Sequence, residues 1–306
     1  MKYFTKSIIY IFMIVFIYGI FEFLFQSNPI MDAISKSIPE EYAQGKIFLS
    51  DLDDTSRGGR ARCQSLFSIS ILYGIASMLF CFFYFFITKY NNIFNIRKYF
   101  SFLVIVFVLF AQYACNSKTA IVALPVFILP WLIKNKVALF VDIIGIIIFL
   151  FFSNEIIDIL SIFVDINAFN ADDNQVSGSS LYLRLLQFEA GFEHWFNSFL
   201  FGNGIRSGEI LSEKDYRLFG CESIWIRTMV EQGLLGIIAY IYLIITCLKR
   251  SLKCVNKWQI FFFVAGFFTI CSITDIDYNL FFLLYITMLR IDNIESQQSL
   301  SLETQP

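Results

Sequence analysis

The stretch Leu66-Phe-Ser-Ile-Ser-Ile-Leu-Tyr-Gly-Ile-Ala-Ser-Met-Leu-Phe-Cys-Phe-Phe-Tyr-Phe-Phe-Ile-Thr88 holds no acidic or basic residue, and Lys89 follows it at once. About 20 consecutive apolar residues, wound as a helix, cross the roughly 30 Å hydrocarbon core of a bilayer. This run therefore reads as a spanning helix. The rest of the chain repeats the pattern: of 306 residues, 57% are apolar, only 16% are charged and 38 are Phe. Mean hydropathy is +0.66. Soluble domains carry about 25% charged residues, and no water-facing fold of this size hides so much Phe, Ile and Leu. The composition excludes a soluble enzyme, a disordered chain and a secreted disulfide scaffold.

On either side of 66–88, further apolar runs lie near 7–25, 99–115, 119–133, 137–153, 223–248, 258–274 and 278–289. The expected fold is all-α: a single polytopic transmembrane domain over 1–290 with about eight spanning helices. Lys2 and Lys6 precede the first run, but no small-residue cleavage site follows it, so it reads as an uncleaved helix. Lys89, Arg97 and Lys98, then Lys134 and Lys136, then Lys249, Arg250, Lys253 and Lys257 mark three short loops. The excess of Lys and Arg assigns those loops, and both termini, to the cytoplasm. The opposite face then receives external loops at about 26–65 and 154–222. The tail 291–306, rich in Ser, Gln and Glu, reads as disordered and cytoplasmic.

Net charge is −2 and no basic stripe stands out, which gives no sign of a nucleic-acid partner. The seven cysteines lack CxxC spacing and there is one His, so a Cys/His zinc site is not expected. Cys63 and Cys221 fall in the two long external loops, where an oxidising compartment would allow them to pair. Asp275-Ile276-Asp277 is short and flanked by apolar residues, and no metal is expected there.

Three features of the second half invite chemistry. Residues 181–195 read as an amphipathic helix capped by Ser179-Ser180, with Arg184, Gln187, Gly191 and His194 in one stripe. That stripe either faces a polar cavity or is the solvated side of a helix lying on the membrane. Next, Phe201-Gly202-Asn203-Gly204-Ile205-Arg206 has two glycines that allow a sharp turn or a close backbone approach. Last, Arg227 and Glu231 are four residues apart at the mouth of a span, where they can pair on one helix face. Ionisable groups at such a depth face water, a partner or each other. Gly233 and Gly236 suit close helix packing.

Taken in order, Arg184, Phe201-Gly202-Asn203-Gly204, Glu222-Ser223-x-Trp225-Ile226 and Glu231-x-Gly233-Leu234-Leu235-Gly236 resemble the O-antigen polymerase and ligase family. Asn116-Ser117-Lys118-Thr119-Ala120 is similar to that family's Ser-Arg turn, with Lys in place of Arg. The Arg57, Arg60 and Arg62 cluster precedes the second span as it does in the family. The resemblance runs from Arg57 to Gly236 and implies a multi-span glycosyltransferase acting on lipid-linked glycans at the outer face of a bacterial inner membrane. In the ligase branch a His-Asn pair supplies the catalytic base; here Glu222 and Ser223 stand at those positions, which favours a polymerase over a ligase.

The resemblance implies an undecaprenyl-pyrophosphate-linked oligosaccharide as donor and a sugar hydroxyl of a second lipid-linked repeat as acceptor. It also implies a flippase and a chain-length regulator as partners within the membrane lipid, and no cofactor. Arginine suits pyrophosphate through its planar fork, so Arg184 comes first among the expected site cations. Arg206, Arg57, Arg60, Arg62, Lys118 and Arg227 follow as substrate-binding residues, with Glu231, Gly202 and Gly204. Glu222 is the expected general base. A flippase would also carry buried charges, usually in two symmetric halves with paired broken helices; no such internal symmetry is visible.

Overall fold

A computed structural model describes residues 2–37, 62–67, 69–90, 98–115, 181–218, 223–274 and 278–303. Every regular element among the described residues is helical. The helices are α1 (Lys2–Phe25), α2 (Pro29–Ser37), α3 (Ser70–Thr88), α4 (Lys98–Cys115), α5 (Leu181–Asn197), α6 (Ser207–Lys214), α7 (Ile224–Ser251), α8 (Lys257–Ile273) and α9 (Tyr278–Glu303). A 3-10 turn at Tyr216–Leu218 follows α6. Helices are the expected outcome: without water to satisfy them, backbone N–H and C=O groups must be satisfied within the segment. Tyr3–Phe25, Ser70–Thr88 and Ile224–Ser251 are long and apolar enough to cross a membrane. Phe100–Cys115 and Lys257–Ser272 are shorter apolar helices. The expected spans at 119–133 and 137–153 lie outside the described residues.

The chain divides into two compact units, one of 1–128, 248–270 and 276–306, the other of 129–247 and 271–275. In the first, α3 is the central element, with Tyr73, Phe80, Phe83, Tyr84 and Phe86 almost wholly buried. Phe12 of α1 stacks on Phe80 with ring centroids 4.3 Å apart, and Phe16 meets Tyr73, Phe80 and Phe107. Further along, Phe281 of α9 stacks on Phe267 of α8 at 3.9 Å. The Phe-rich sequence thus becomes interlocked rings, whose offset and edge contacts add to simple burial. Gln112 of α4 is a buried polar link to α3: its amide donates to the Gly74 carbonyl and the Ser77 hydroxyl, both at 2.8 Å, and the Tyr84 and Ser101 hydroxyls pair at 3.3 Å.

Two buried carboxylates hold this unit's turns. Glu22 of α1 accepts the backbone N–H groups of Gln64 and Ser65, at 3.1 and 2.6 Å. Asn28 caps α2 by accepting from Met31 N–H and donates its own amide to the Ser65 carbonyl. At the other end, Asp292 is 1% exposed. It accepts from Val255 and Asn256 N–H, at 2.7 and 2.9 Å, and so closes the turn between α7 and α8. Here the structure departs from the expected disordered tail: α9 runs on past Arg290 to Glu303. Ile291 and Asp292 are buried, so tertiary contacts extend a helix that composition alone would end.

Candidate functional site

The second unit is built around α7, and α7 is not continuous. Gly233 has φ 65° and ψ −156°, outside the helical region, in a corner of backbone space that is essentially glycine-only. A break there removes two rungs of the helix ladder, Leu234 N–H to Val230 C=O and Leu235 N–H to Glu231 C=O. The loop after α5 replaces both. Asn203 and Gly204 N–H donate to the Val230 and Glu231 carbonyls, at 2.8 and 3.0 Å. Leu234 and Leu235 N–H donate to the Phe199 and Leu200 carbonyls, at 2.9 and 3.3 Å. All four orphaned groups are satisfied, as an apolar setting requires. The sequence reading of α7 as one plain span, with its glycines serving helix packing, is corrected here.

Close approach explains the glycines. A Cβ on Gly202 would overlap the Glu231 carbonyl group, and one on Gly233 would stand 2.7 Å from the Leu200 carbonyl. A Cβ on Gly236 would meet Gln232 and Thr228 of the preceding half-helix rather than another helix. Gly204, with φ 98°, has open space around it and needs glycine only for its backbone angle. The loop is fixed from α5 as well: Trp195 Nε1 donates to the Phe199 carbonyl at 2.8 Å, and the Asn203 amide donates to the carbonyls of His194 and Val230.

α5 packs on the first half of α7 through small residues. Ala190 joins Leu218, Ile226 and Val230 in a buried cluster, and a Cβ on Gly191 would come within 2.8 Å of Ile226 Cγ2. Gln187 is buried too. The stripe expected to line a polar cavity or face solvent is therefore a packing face at Gln187 and Gly191. His194 leaves that face and meets Asp215 Oδ2 at 3.3 Å. Asp215 is gripped by Arg217, Nε to Oδ1 at 3.0 Å and Nη2 to Oδ2 at 2.9 Å, and Arg217 also reaches Glu193 Oε2 at 2.6 Å. The Arg217 guanidinium holds both carboxyls below their usual ranges. This knot ties the 3-10 turn after α6 back to α5.

Beside the break, Glu231 is 4% exposed and its Oε1 lies 3.4 Å from Arg227 Nε, the i, i+4 pairing the spacing predicts. The start of α6 abuts the same carboxylate, since a Cβ on Gly208 would stand 3.3 Å from Glu231 Oε1. Arg206 precedes α6 in the left-handed conformation, φ 67°, and is exposed. The hydroxyl of Ser207 is buried with no hydrogen-bond partner. The Arg227 guanidinium, the start of α6 and one desolvated carboxylate thus share a small region, with Arg206 at the head of that helix, a combination suited to an anionic or polyhydroxylic ligand. Ser223 and Trp225, which belong to the quoted motif, are anchors: both donate to Ser272, at 2.9 and 2.8 Å.

Of the expected site residues, Arg206, Arg227, Glu231, Gly202 and Gly204 come together in this unit. Arg62 is half-buried in the segment before α3, in the other unit. Arg184 sits in the first turns of α5, with its side chain outside the described residues. Glu222, Lys118, Arg57, Arg60, Cys221 and the Asp275–Asp277 turn lie outside the described residues. Sequence reasoning passed over Asp215, Arg217 and Glu22. A carboxylate inside the first apolar run was the available signal for Glu22; Asp215 and Arg217 lie in irregular chain, where no periodicity marks them. Among the described residues no three His, Cys, Asp or Glu side chains gather to hold a metal ion. Comparison with family models, curated proteins and solved structures finds no match to this chain.

Proposed function

We propose that this chain is a membrane glycosyltransferase, a polymerase of lipid-linked oligosaccharide repeats working at the outer face of a bacterial inner membrane. In this reading about eight helices span the bilayer with both termini inside, and 26–65 and 154–222 are external. The observation that carries it is the interlocking of two motifs distant in sequence. The Phe201-Gly202-Asn203-Gly204 loop fills the break in the Glu231-x-Gly233-Leu234-Leu235-Gly236 helix. That contact supports the reading, because it sets the Gly202–Gly204 loop beside the Arg227–Glu231 pair.

The reaction needs an acceptor hydroxyl to attack the anomeric carbon of the donor glycan. Glu222 takes the proton, the bond to pyrophosphate breaks, and the undecaprenyl pyrophosphate leaves with its charge held by Arg184 and neighbouring cations. Removing a general base typically costs about 10²- to 10⁴-fold in rate. The flippase reading survives on one observation, because an interrupted spanning helix is also how transporters build substrate sites.

Deletion of the gene followed by electrophoresis of the surface glycan separates these readings. A polymerase mutant keeps single-repeat material and loses the ladder; a flippase mutant accumulates repeats at the cytoplasmic face. Arg184→Lys then tests the site: at a bidentate pyrophosphate contact Lys fails despite its charge, so the ladder should disappear while protein level holds. A normal ladder from the Lys variant returns Arg184 to a headgroup anchor.

A further inference from the structure

The segment before α3 returns to the end of α4 and is pinned there. Cys63 N–H donates to the Ala114 carbonyl at 3.0 Å, and the next residue, Cys115, ends α4. That bond brings Cys63 beside the end of α4, close enough for Cys115 to act electrostatically on its thiol, and disulfides close over Cα separations of roughly 4.4–6.8 Å. Both residues are buried, Cys63 at 2% and Cys115 at 0% exposed, and the Cys115 Sγ–H donates to the Gln112 carbonyl one turn earlier at 3.4 Å. Register leaves little room to slide: Gln64 and Ser65 N–H are held by Glu22, and Ser65 Oγ donates to the Val15 carbonyl at 2.7 Å.

We infer that Cys63 and Cys115 form a disulfide in the membrane-inserted protein, stapling the segment that enters α3 to the end of α4. The inference rests on the orientation proposed above, which puts both cysteines at the external face, where disulfides persist. The step is thiol–disulfide exchange with an oxidised dithiol protein or a small-molecule disulfide. One cysteine thiolate attacks the donor disulfide and expels a thiolate. The second then displaces the other donor sulfur, so two cysteine thiols lose two protons and two electrons and the donor gains them. Burial, then Glu22 and Cys115 nearby, pushes the Cys63 thiol up to about 12. Folded Cys63 is therefore a poor nucleophile at neutral pH. Exchange belongs to the folding chain, before these walls close, and the finished bond is shielded from reductant.

The test uses the full chain, extracted in detergent after acid quench and alkylation, then digested without reduction. Mass spectrometry should find one linked peptide pair carrying Cys63 and Cys115, lost on reduction and absent from Cys63→Ser and Cys115→Ser. Cys221→Ser should leave it intact. A reporter fusion at Lys253 is read in parallel. If that fusion reports cytoplasm and both cysteines are found alkylated, the bridge is overturned and the orientation stands. If it reports the outside, the orientation falls and takes the bridge with it. A pair linking Cys63 to Cys221 overturns the inference in favour of the alternative pairing. Should a Ser variant fail to accumulate, the wild-type peptide map and the Cys221→Ser map still decide.

Discussion

α3 and α7 are both long and apolar enough to span a membrane, yet they are built on opposite plans. α3 keeps its ladder whole and turns aromatic rings toward α1, while side chains alone, Gln112 and Ser101 of α4, make its polar contacts with α4. α7 gives up its ladder at Gly233 and depends on a loop from elsewhere in the chain to satisfy the exposed backbone. A continuous helix offers neighbours only side chains. An interrupted one offers four backbone groups, and any segment that fills them is fixed to within a hydrogen bond. That is why α3 reads as scaffold and α7 as the place where ionisable residues collect.

The contrast breaks most sharply at its glycines. Gly233→Ala demands a backbone conformation that costs about 1–3 kcal/mol for a residue with a Cβ and drives that Cβ into the Leu200 carbonyl. Loss of membrane-inserted protein, or of all polymer, is expected on immunoblot and glycan gel. Gly19→Ala in α1 is the comparator. It is helical, and its Cβ meets only the end of the Tyr73 ring, an overpacking cost of about 1–3 kcal/mol with no backbone penalty. A Gly233 variant milder than the Gly19 variant would mean α7 tolerates a straight form.

Within the loop, Gly202→Ala should be the more damaging of two neighbouring changes, because its Cβ overlaps the Glu231 carbonyl, whereas Gly204→Ala meets open space. Protease resistance of the 198–236 region measures both. Equal sensitivity would show that backbone angle alone governs the loop.

A pH series acts on the second unit, which carries the Arg217 knot. Asp215 is held low by Arg217. Its contribution is therefore present above the unfolded-state value of about 3.9 and is lost as pH falls through the lower folded value. Arg217→Ala should shift the acid loosening of this unit upward in pH, followed by Trp195 fluorescence. An unchanged acid midpoint would make the knot ornamental. The smallest effect is expected at α3, where Gln112→Leu removes interhelical hydrogen bonds worth about 0.6 kcal/mol, visible as a slight fall in thermal midpoint in detergent.

Much of this was legible from residue order. Apolar runs announced α1, α3, α4, α7 and α8 because apolarity and length are local properties. The helix from Leu181 and the Arg227–Glu231 pair followed from spacing alone; the expected Ser179-Ser180 cap lies outside the described residues. Beyond these, three decisions belonged to the tertiary structure. Gly233 became a break rather than a packing notch because the Phe199–Gly204 loop, about thirty residues earlier, supplied replacement partners; nothing near Gly233 encodes those. Gly191 turned inward because Ile226 and Met229 offered a surface for it, and Gln187, one turn earlier, is buried with it. Ile291–Glu303 stayed helical because Asp292 found the N–H groups of Val255 and Asn256. Sequence determines what a segment can be within a few turns, and contacts between distant segments decide which polar groups are satisfied and so which of those options survives.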